Sequence, residues 1–160
     1  MTTQGEDIAI EAEMPVEGGL AAVNALIERA IEGWDLSPRV KRAAAESYRY
    51  DAHDAAEGQF LRAFDADGAL SGVAVLLAPD PRDADPAEAR LLHGLFVAPE
   101  RQGHGVGARL LEAAGAAARD GGATRLIVRA QRGARDYFRD RGFQQMADAA
   151  YPHSFVKMLA

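Results

Sequence analysis

Leu91-Leu92-His93-Gly94-Leu95-Phe96-Val97-Ala98-Pro99-Glu100-Arg101-Gln102-Gly103-His104-Gly105-Val106-Gly107-Ala108-Arg109-Leu110-Leu111 is the stretch whose reading decides the fold. Leu91 to Val97 is apolar except at His93 and Gly94, the pattern of a strand covered on both faces. Pro99 ends it, because proline has no N–H to give to a ladder. After Gly103, Gly105 and Gly107, the positions Val106, Leu110, Leu111 and Ala114 recur at helical spacing. Glycines between a strand and a helix let the backbone approach a ligand, and a helix N-terminus offers unpaired N–H groups. The combination suits an anionic phosphate.

Working outward, residues 1–7 are polar and expected to be frayed. Ile8, Ile10 and Ala12 alternate with acidic or small residues as a short first strand. Leu20, Val23, Leu26, Ile27, Ala30 and Ile31 fit one face of a helix, and Trp34 and Leu36 follow in a turn. Ser37-Pro38 reads as an N-cap followed by proline at the first helical position. The second helix is expected to run from Pro38 into the Tyr48–His53 neighbourhood, with Val40, Ala44, Ser47 and Tyr48 on one side. Gln59 to Phe64 and Gly72 to Ala78 form the arms of a hairpin around Asp65-Ala66-Asp67-Gly68. Pro79 to Pro86 is a loop by composition.

Beyond the opening stretch, the helix from Gly105 to Arg119 stops at Gly121-Gly122. Thr124 to Val128 is a strand, Ala134 to Arg141 a helical segment closed by Gly142, and Phe143–Met146 with Ser154–Leu159 a final antiparallel pair. This order, β-α-α-β-β-β-α-β-α-β-β, implies an α/β (α+β) fold. Its sheet is mixed and mostly antiparallel, with helices on both faces and one late β-α-β crossover. At 160 residues the chain is expected to be one domain spanning residues 1–160.

A hydrophobic fraction of 48% and a charged fraction of 26% are ordinary for a globular protein. No apolar run approaches the roughly 20 residues of a membrane span. Residues 1–7 lack the basic and apolar regions of a signal peptide, so a cytoplasmic address is expected. The absence of cysteine excludes disulfides and a thiolate mechanism. A net charge of −6 argues against coating nucleic acid. His53, His93, His104 and His153 are scattered without zinc-like spacing, so no metal is expected.

Gln102-Gly103-His104-Gly105-Val106-Gly107, preceded by Phe96-Val97-Ala98-Pro99, resembles the Arg/Gln-x-x-Gly-x-Gly/Ala signature of the GNAT N-acetyltransferases. Downstream, Gln131-Arg132-Gly133-Ala134-Arg135-Asp136-Tyr137-Phe138-Arg139-Asp140-Arg141-Gly142-Phe143 is similar to that family's Asn-x-x-Ala-x-x-Phe/Leu-Tyr-x-x-x-Gly-Phe segment. The resemblance implies an N-acyltransferase that moves an acetyl or short acyl group from acyl-CoA to a primary amine. The amine attacks directly in a ternary complex, no metal takes part, and the protein is a monomer or homodimer. The acceptor, a small-molecule amine or a protein amino group, carries no signature here. Two other classes stay open: a non-catalytic acyl-CoA-binding module of the same fold, and a dinucleotide-binding protein. Gly103-x-Gly105-x-x-Ala108 matches the dinucleotide fingerprint, but the strand end Val128-Arg129-Ala130 lacks the acidic residue that would hold a ribose.

On the acyl-CoA reading, the backbone N–H groups of Gln102, Gly103, His104, Gly105, Val106, Gly107 and Ala108 cradle the pyrophosphate, helped by the helix dipole of about half a charge. Gly105 and Gly107 are the glycines this geometry is expected to need, with Arg101 and Arg109 close enough to face the nucleotide. By resemblance the strand Leu95, Phe96, Val97 parts from the next strand and takes the pantetheine along its edge, an N–H near Phe96 or Val97 polarising the thioester. His93 reads equally as the general base for a protonated amine and as a hydrogen-bonded structural histidine, with a carboxylate acting through water as the other candidate base. The family's acid tyrosine falls at Phe138, and the tyrosine here is Tyr137, one helical step of about 100° away. Gln131 stands where asparagine is usual and reads equally as a partner of the pantetheine amides, with Phe138 nearby, and as an ordinary loop residue. Tyr48, Tyr50, Asp51, His53 and Asp54 read either as an acidic and aromatic acceptor lining or as a solvated helix end. Asp80, Asp83, Asp85 and Glu88 read as a solvated loop.

Overall fold

The computed structural model describes residues 8–14, 18–130, 132–151 and 153–160. The expectations for residues 1–7 and for Gln131 lie outside the described residues. Seven strands form one sheet in the order β1-β2-β3-β4-β5-β7-β6: β1 (Ala9–Glu11), β2 (Gln59–Phe64), β3 (Leu70–Leu77), β4 (Ala89–Val97), β5 (Arg125–Arg129), β6 (Gln144–Gln145) and β7 (Ser154–Met158). β1 runs antiparallel to β2, and β7 antiparallel to both β5 and β6, while β4 and β5 run parallel. A parallel pair needs a long crossover. It is supplied by the helix that follows the glycine turn, as its spacing implied.

Among the described residues five α-helices accompany the sheet: α1 (Gly19–Glu32), α2 (Pro38–Ser47), α3 (Ala52–Glu57), α4 (Val106–Asp120) and α5 (Arg135–Asp140). Contacts group the chain into two compact units, with boundaries inside β3, β4 and α4. The first takes Met1–Val75 with Gly94–Ala113, the second Leu76–His93 with Ala114–Ala160.

In the first unit, α1 buries Val23, Leu26, Ile27, Ala30 and Ile31, the face its periodicity set. Each large apolar side chain so buried contributes roughly 1.5–3 kcal/mol. α2 starts as expected, with Ser37 Oγ accepting from Val40 N at 3.3 Å and Pro38 behind it. It stops at Ser47, short of the expected end, and a separate helix begins at Ala52. The cause is local. Asp51 accepts from Asp54 N, and Asp54 returns a carboxylate to Asp51 N, both at 2.9 Å. This reciprocal cap starts a new helix where continuation was expected. In the hairpin, Asp65 Oδ1 accepts from the backbone N–H of Asp67 and of Ala69, each at 3.0 Å.

In the second unit, Ala89 and Leu91 pack with Ala84 and Ile127, against half-buried Met146 and Val156. α4 ends at the expected glycines, Ala123 N returning to Ala118 O at 3.0 Å. The loop carboxylates are less idle than their composition implied. Asp83 Oδ1 accepts from Ala150 N at 2.6 Å, Glu88 pairs with Arg125 at 3.1 Å, and Asp80 takes a forked contact from Arg82.

Candidate active site

The parallel ladder pairs Ala89 to Leu92 with Arg125 to Val128 and goes no further. β4 itself continues through His93 to Val97. Along that continuation His93, Leu95 and Val97 are half-buried and alternate with buried Gly94 and Phe96. The strand then turns at Ala98, whose N–H donates to Ser71 O at 2.8 Å, and enters one 3₁₀ turn over Pro99–Arg101.

The glycine turn that follows has a backbone only glycine adopts readily. Gly103 and Gly105 have φ of +80° and +81°, and a Cβ on either would meet nothing within 4 Å. The requirement is therefore backbone conformation and an open approach, not relief of crowding. Gly107 lies inside α4 and is not among the left-handed glycines, so only Gly103 and Gly105 of the three carry that backbone requirement. Gln102, Gly103, His104 and Gly105 are exposed, Val106 is buried, and Gly107 and Ala108 are half-buried. Arg109 N donating to Gly105 O at 3.1 Å marks the first turn of α4, whose leading N–H groups have no carbonyl one turn back.

The two arginines beside the turn hold the protein together. Arg101 Nη2 pairs with Asp65 Oδ2 at 2.6 Å, the aspartate side chain being 8% exposed. Arg109 Nη2 donates to Ile8 O at 3.2 Å. Glu100 pairs with Arg29 at 3.0 Å, with both side chains more than half exposed.

Phe96 faces the helical layer of the first unit. Trp34 stacks on it at 6.2 Å, and Tyr48 meets it edge-on at 5.0 Å. Tyr50 is buried, locked through its backbone by Asn24 on α1, which accepts from Tyr50 N at 3.0 Å and donates to Tyr50 O at 2.8 Å. Its hydroxyl lies over Gly94, where a Cβ would come within 2.5 Å of it. Burial pushes the Tyr50 hydroxyl well above the usual phenol range, so it stays protonated. Sequence reading grouped Tyr48 and Tyr50 with Asp51, His53 and Asp54, and the structure gives them different partners. The tyrosines meet β4, the two aspartates cap each other, and His53 is exposed. A lone glycine inside an apolar strand was the available signal for the Tyr50 approach.

In the second unit, Phe138 is buried against Phe143 at 5.3 Å, and Tyr137 is half-buried under the Arg141 guanidinium, 3.6 Å from its ring centre. Tyr137 thus occupies a rim and Phe138 the core. Among the described residues, no group of three or more His, Cys, Asp or Glu side chains could hold a metal ion. No helix there is long and apolar enough to cross a membrane.

The family model described as the acetyltransferase (GNAT) domain matches residues 30–158. The chain belongs to the GNAT acetyltransferase family. This GNAT chain shares its fold with solved structures at low identity. A PaiA N-acetyltransferase from Thermoplasma acidophilum, in complex with coenzyme A, is 16% identical with a TM-score of 0.73, over 94% of this chain and 98% of that one. A GNAT family acetyltransferase from Brucella melitensis, in complex with acetyl-CoA, is 22% identical with a TM-score of 0.71, over 97% and 90%. An acetyltransferase from Streptococcus agalactiae is 22% identical with a TM-score of 0.64, over 98% and 99%. Comparison with curated protein sequences returns no match. The GNAT sheet, mostly antiparallel with β4 beside β5 as its parallel pair, is not the parallel two-half sheet of a dinucleotide-binding protein.

Proposed function

We propose that this chain, working as a single domain over residues 1–160, transfers an acetyl or short acyl group from acyl-CoA to a primary amine in a ternary complex. The observation that carries the reading is the pair of left-handed glycines, Gly103 and Gly105, opening directly onto the N-terminus of α4. The backbone from Gln102 to Ala108 holds the pyrophosphate, where successive N–H groups and the helix dipole act together. The backbone of Leu95, Phe96 and Val97 takes the pantetheine and thioester, with an N–H near Phe96 or Val97 donating to the carbonyl oxygen. Gln131 and Phe138 serve the pantetheine arm.

An amine of pKa near 10 must lose a proton before attack. His93, half-buried on the same strand, takes that proton. The neutral nitrogen then adds to the thioester carbon, and collapse of the tetrahedral intermediate expels the CoA thiolate, which takes a proton from Tyr137 or from water. The acceptor is a small-molecule amine or a protein amino group. The protein is cytoplasmic, a monomer or homodimer, and works without metal or nucleic acid.

A second reading, an acyl-CoA-binding module without turnover, draws on buried Phe138 at the family's tyrosine position and on Tyr137 lying beneath Arg141. Thiol release from acetyl-CoA over a broad panel of amines and peptides separates the two. Turnover supports the transferase, and tight CoA binding with no turnover on any acceptor supports the module. Gly105→Glu, which puts a carboxylate into the cradle at a left-handed position, is expected to abolish CoA binding while the melting curve stays cooperative. Unchanged affinity would remove the cradle assignment.

A further inference from the structure

Arg129 closes β5, one residue past Val128, whose ladder partner on β4 is Leu92. Arg129 and His93 are each the first residue past the last rung of that ladder. Its guanidinium lies 3.6 Å from the centre of the Tyr151 ring. Arg135, the first residue of α5, sets Nη2 against the His153 ring, 2.9 Å from Nε2. The Nε atoms of both arginines are buried without a hydrogen-bond partner. Among the described residues neither arginine has a carboxylate within ion-pair distance.

The nearby acids are already engaged. Asp80 takes the Arg82 fork, Nε at 3.1 Å and Nη2 at 2.8 Å. The field of Arg129 reaches Asp80, but only as a lesser cause of its low pKa behind the hydrogen bonds from Arg82. Asp83 is occupied by the Ala150 N–H. The segment that carries Tyr151 and His153 is tied down on several sides. Ser154 Oγ donates to Tyr151 O at 3.0 Å, Ala130 N to His153 O at 3.0 Å, and Met146 N to Ser154 O at 2.9 Å. His153 itself holds a left-handed φ of +65°, a conformation costing about 1–2 kcal/mol for a residue with a side chain.

Two guanidiniums with unmet donors, one stacked on an aromatic ring and both on a pinned frame, match what a carboxylate asks of its receptor. Arginine offers a planar fork, and stacking orients that fork without consuming its N–H groups. A buried N–H without an acceptor is also unfavourable until one arrives.

We propose that Arg129 and Arg135 form a receptor for a carboxylate carried by the acceptor, so that the preferred acceptors are amino-acid-like amines. The inference rests on the acyl-transfer reading above. That Arg129 follows the last rung of the ladder on β5, as His93 does on β4, favours the acceptor's carboxylate over the donor's 3′-phosphate, which belongs to the nucleotide end of CoA.

The test pairs L-alanine with ethylamine, L-phenylalanine with phenethylamine and L-lysine with cadaverine. For each pair, thiol release from acetyl-CoA is measured alongside calorimetric binding to the CoA-saturated protein. The carboxylated member of at least one pair is expected to be favoured tenfold or more. Arg129→Gln and Arg135→Gln should each raise its KM at least tenfold, while kcat/KM for the decarboxylated partner and the affinity for CoA stay unchanged. Thermal melts of both variants show whether either has lost its fold, and Arg129→Lys, which keeps charge without the fork, should recover only part of the preference.

Turnover with no preference in any pair overturns the proposal and leaves the transferase reading standing. Carboxylate-selective binding without turnover supports the receptor and counts against the transferase. If Arg129→Gln weakens CoA but not dephospho-CoA, the group bound is the 3′-phosphate and the acceptor proposal fails.

Discussion

At the scale of single residues, β4 carries the two positions on which chemistry and packing turn. His93 is tested by its pH dependence. A base works only when deprotonated, so kcat/KM should fall on the acidic side of its profile. His93→Ala is expected to lower the rate and flatten that acidic limb. A variant profile of wild-type shape would return His93 to a structural role. Gly94 is tested by volume. A methyl there comes within 2.5 Å of the Tyr50 hydroxyl and 3.0 Å of the Phe96 ring, and Tyr50 is itself buried, its ring against Phe60 and its backbone held by Asn24. Gly94→Ala should therefore cost about 1–3 kcal/mol in urea unfolding. Adding Tyr50→Phe, which deletes the clashing oxygen, should recover part of the loss, the Phe96 contact keeping the rest. Additive losses in that double mutant would contradict the contact.

At the scale of elements, the hairpin between β2 and β3 is tied through Asp65 to the turn that leads into α4. Asp65 uses one carboxylate oxygen to fix its own hairpin and the other to hold Arg101. The Arg29–Glu100 pair on the same turn is open to water on both sides and is screened accordingly. Of the two pairs, the sheltered one should matter. Asp65→Ala is expected to raise KM for acetyl-CoA several-fold with kcat nearly unchanged, because it loosens the approach to the cradle and touches no reacting atom. Arg29→Ala should leave KM as it was. If both variants behave alike, the hairpin does not position the turn.

At the scale of the whole molecule, several carboxyls are held below their ordinary range and tie stability to pH. Asp80 is lowered from 3.8 to about 2, first by the Arg82 side chain and then by its backbone N–H. Asp65 is lowered chiefly by the Ala69 N–H, and Asp51 chiefly by the Asp54 N–H. A group whose folded pKa lies below its unfolded one stabilises the fold fully above the unfolded value and loses that contribution as pH falls toward the folded one. The melting temperature should accordingly hold steady down to about pH 4 and drop between about pH 4 and pH 2. Asp80→Asn should start lower and show a shallower drop over that window. An unchanged slope would mean that the Arg82 fork survives into the unfolded chain or contributes nothing.

The sequence by itself determined β4, the glycine turn and α4, because each rests on local terms: apolar periodicity, the missing N–H of Pro99, and the left-handed backbone open to Gly103 and Gly105. It also carried the strand order far enough to mark one parallel pair late in the chain. It did not mark the break at Asp51, where a cap between two aspartates outweighs helix continuation. Nor could it decide that Gly103 rather than Gly107 takes the second left-handed position, since the glycines alternate and only the start of α4 fixes which fall outside the helix. What the tertiary structure alone decided is which distant side chains meet the strand and the turn. Tyr50 lies over Gly94, Asp65 pairs with Arg101, and Tyr151 receives Arg129. Such contacts depend on distances that exist only once the sheet has ordered its strands, and no local propensity of either partner encodes them.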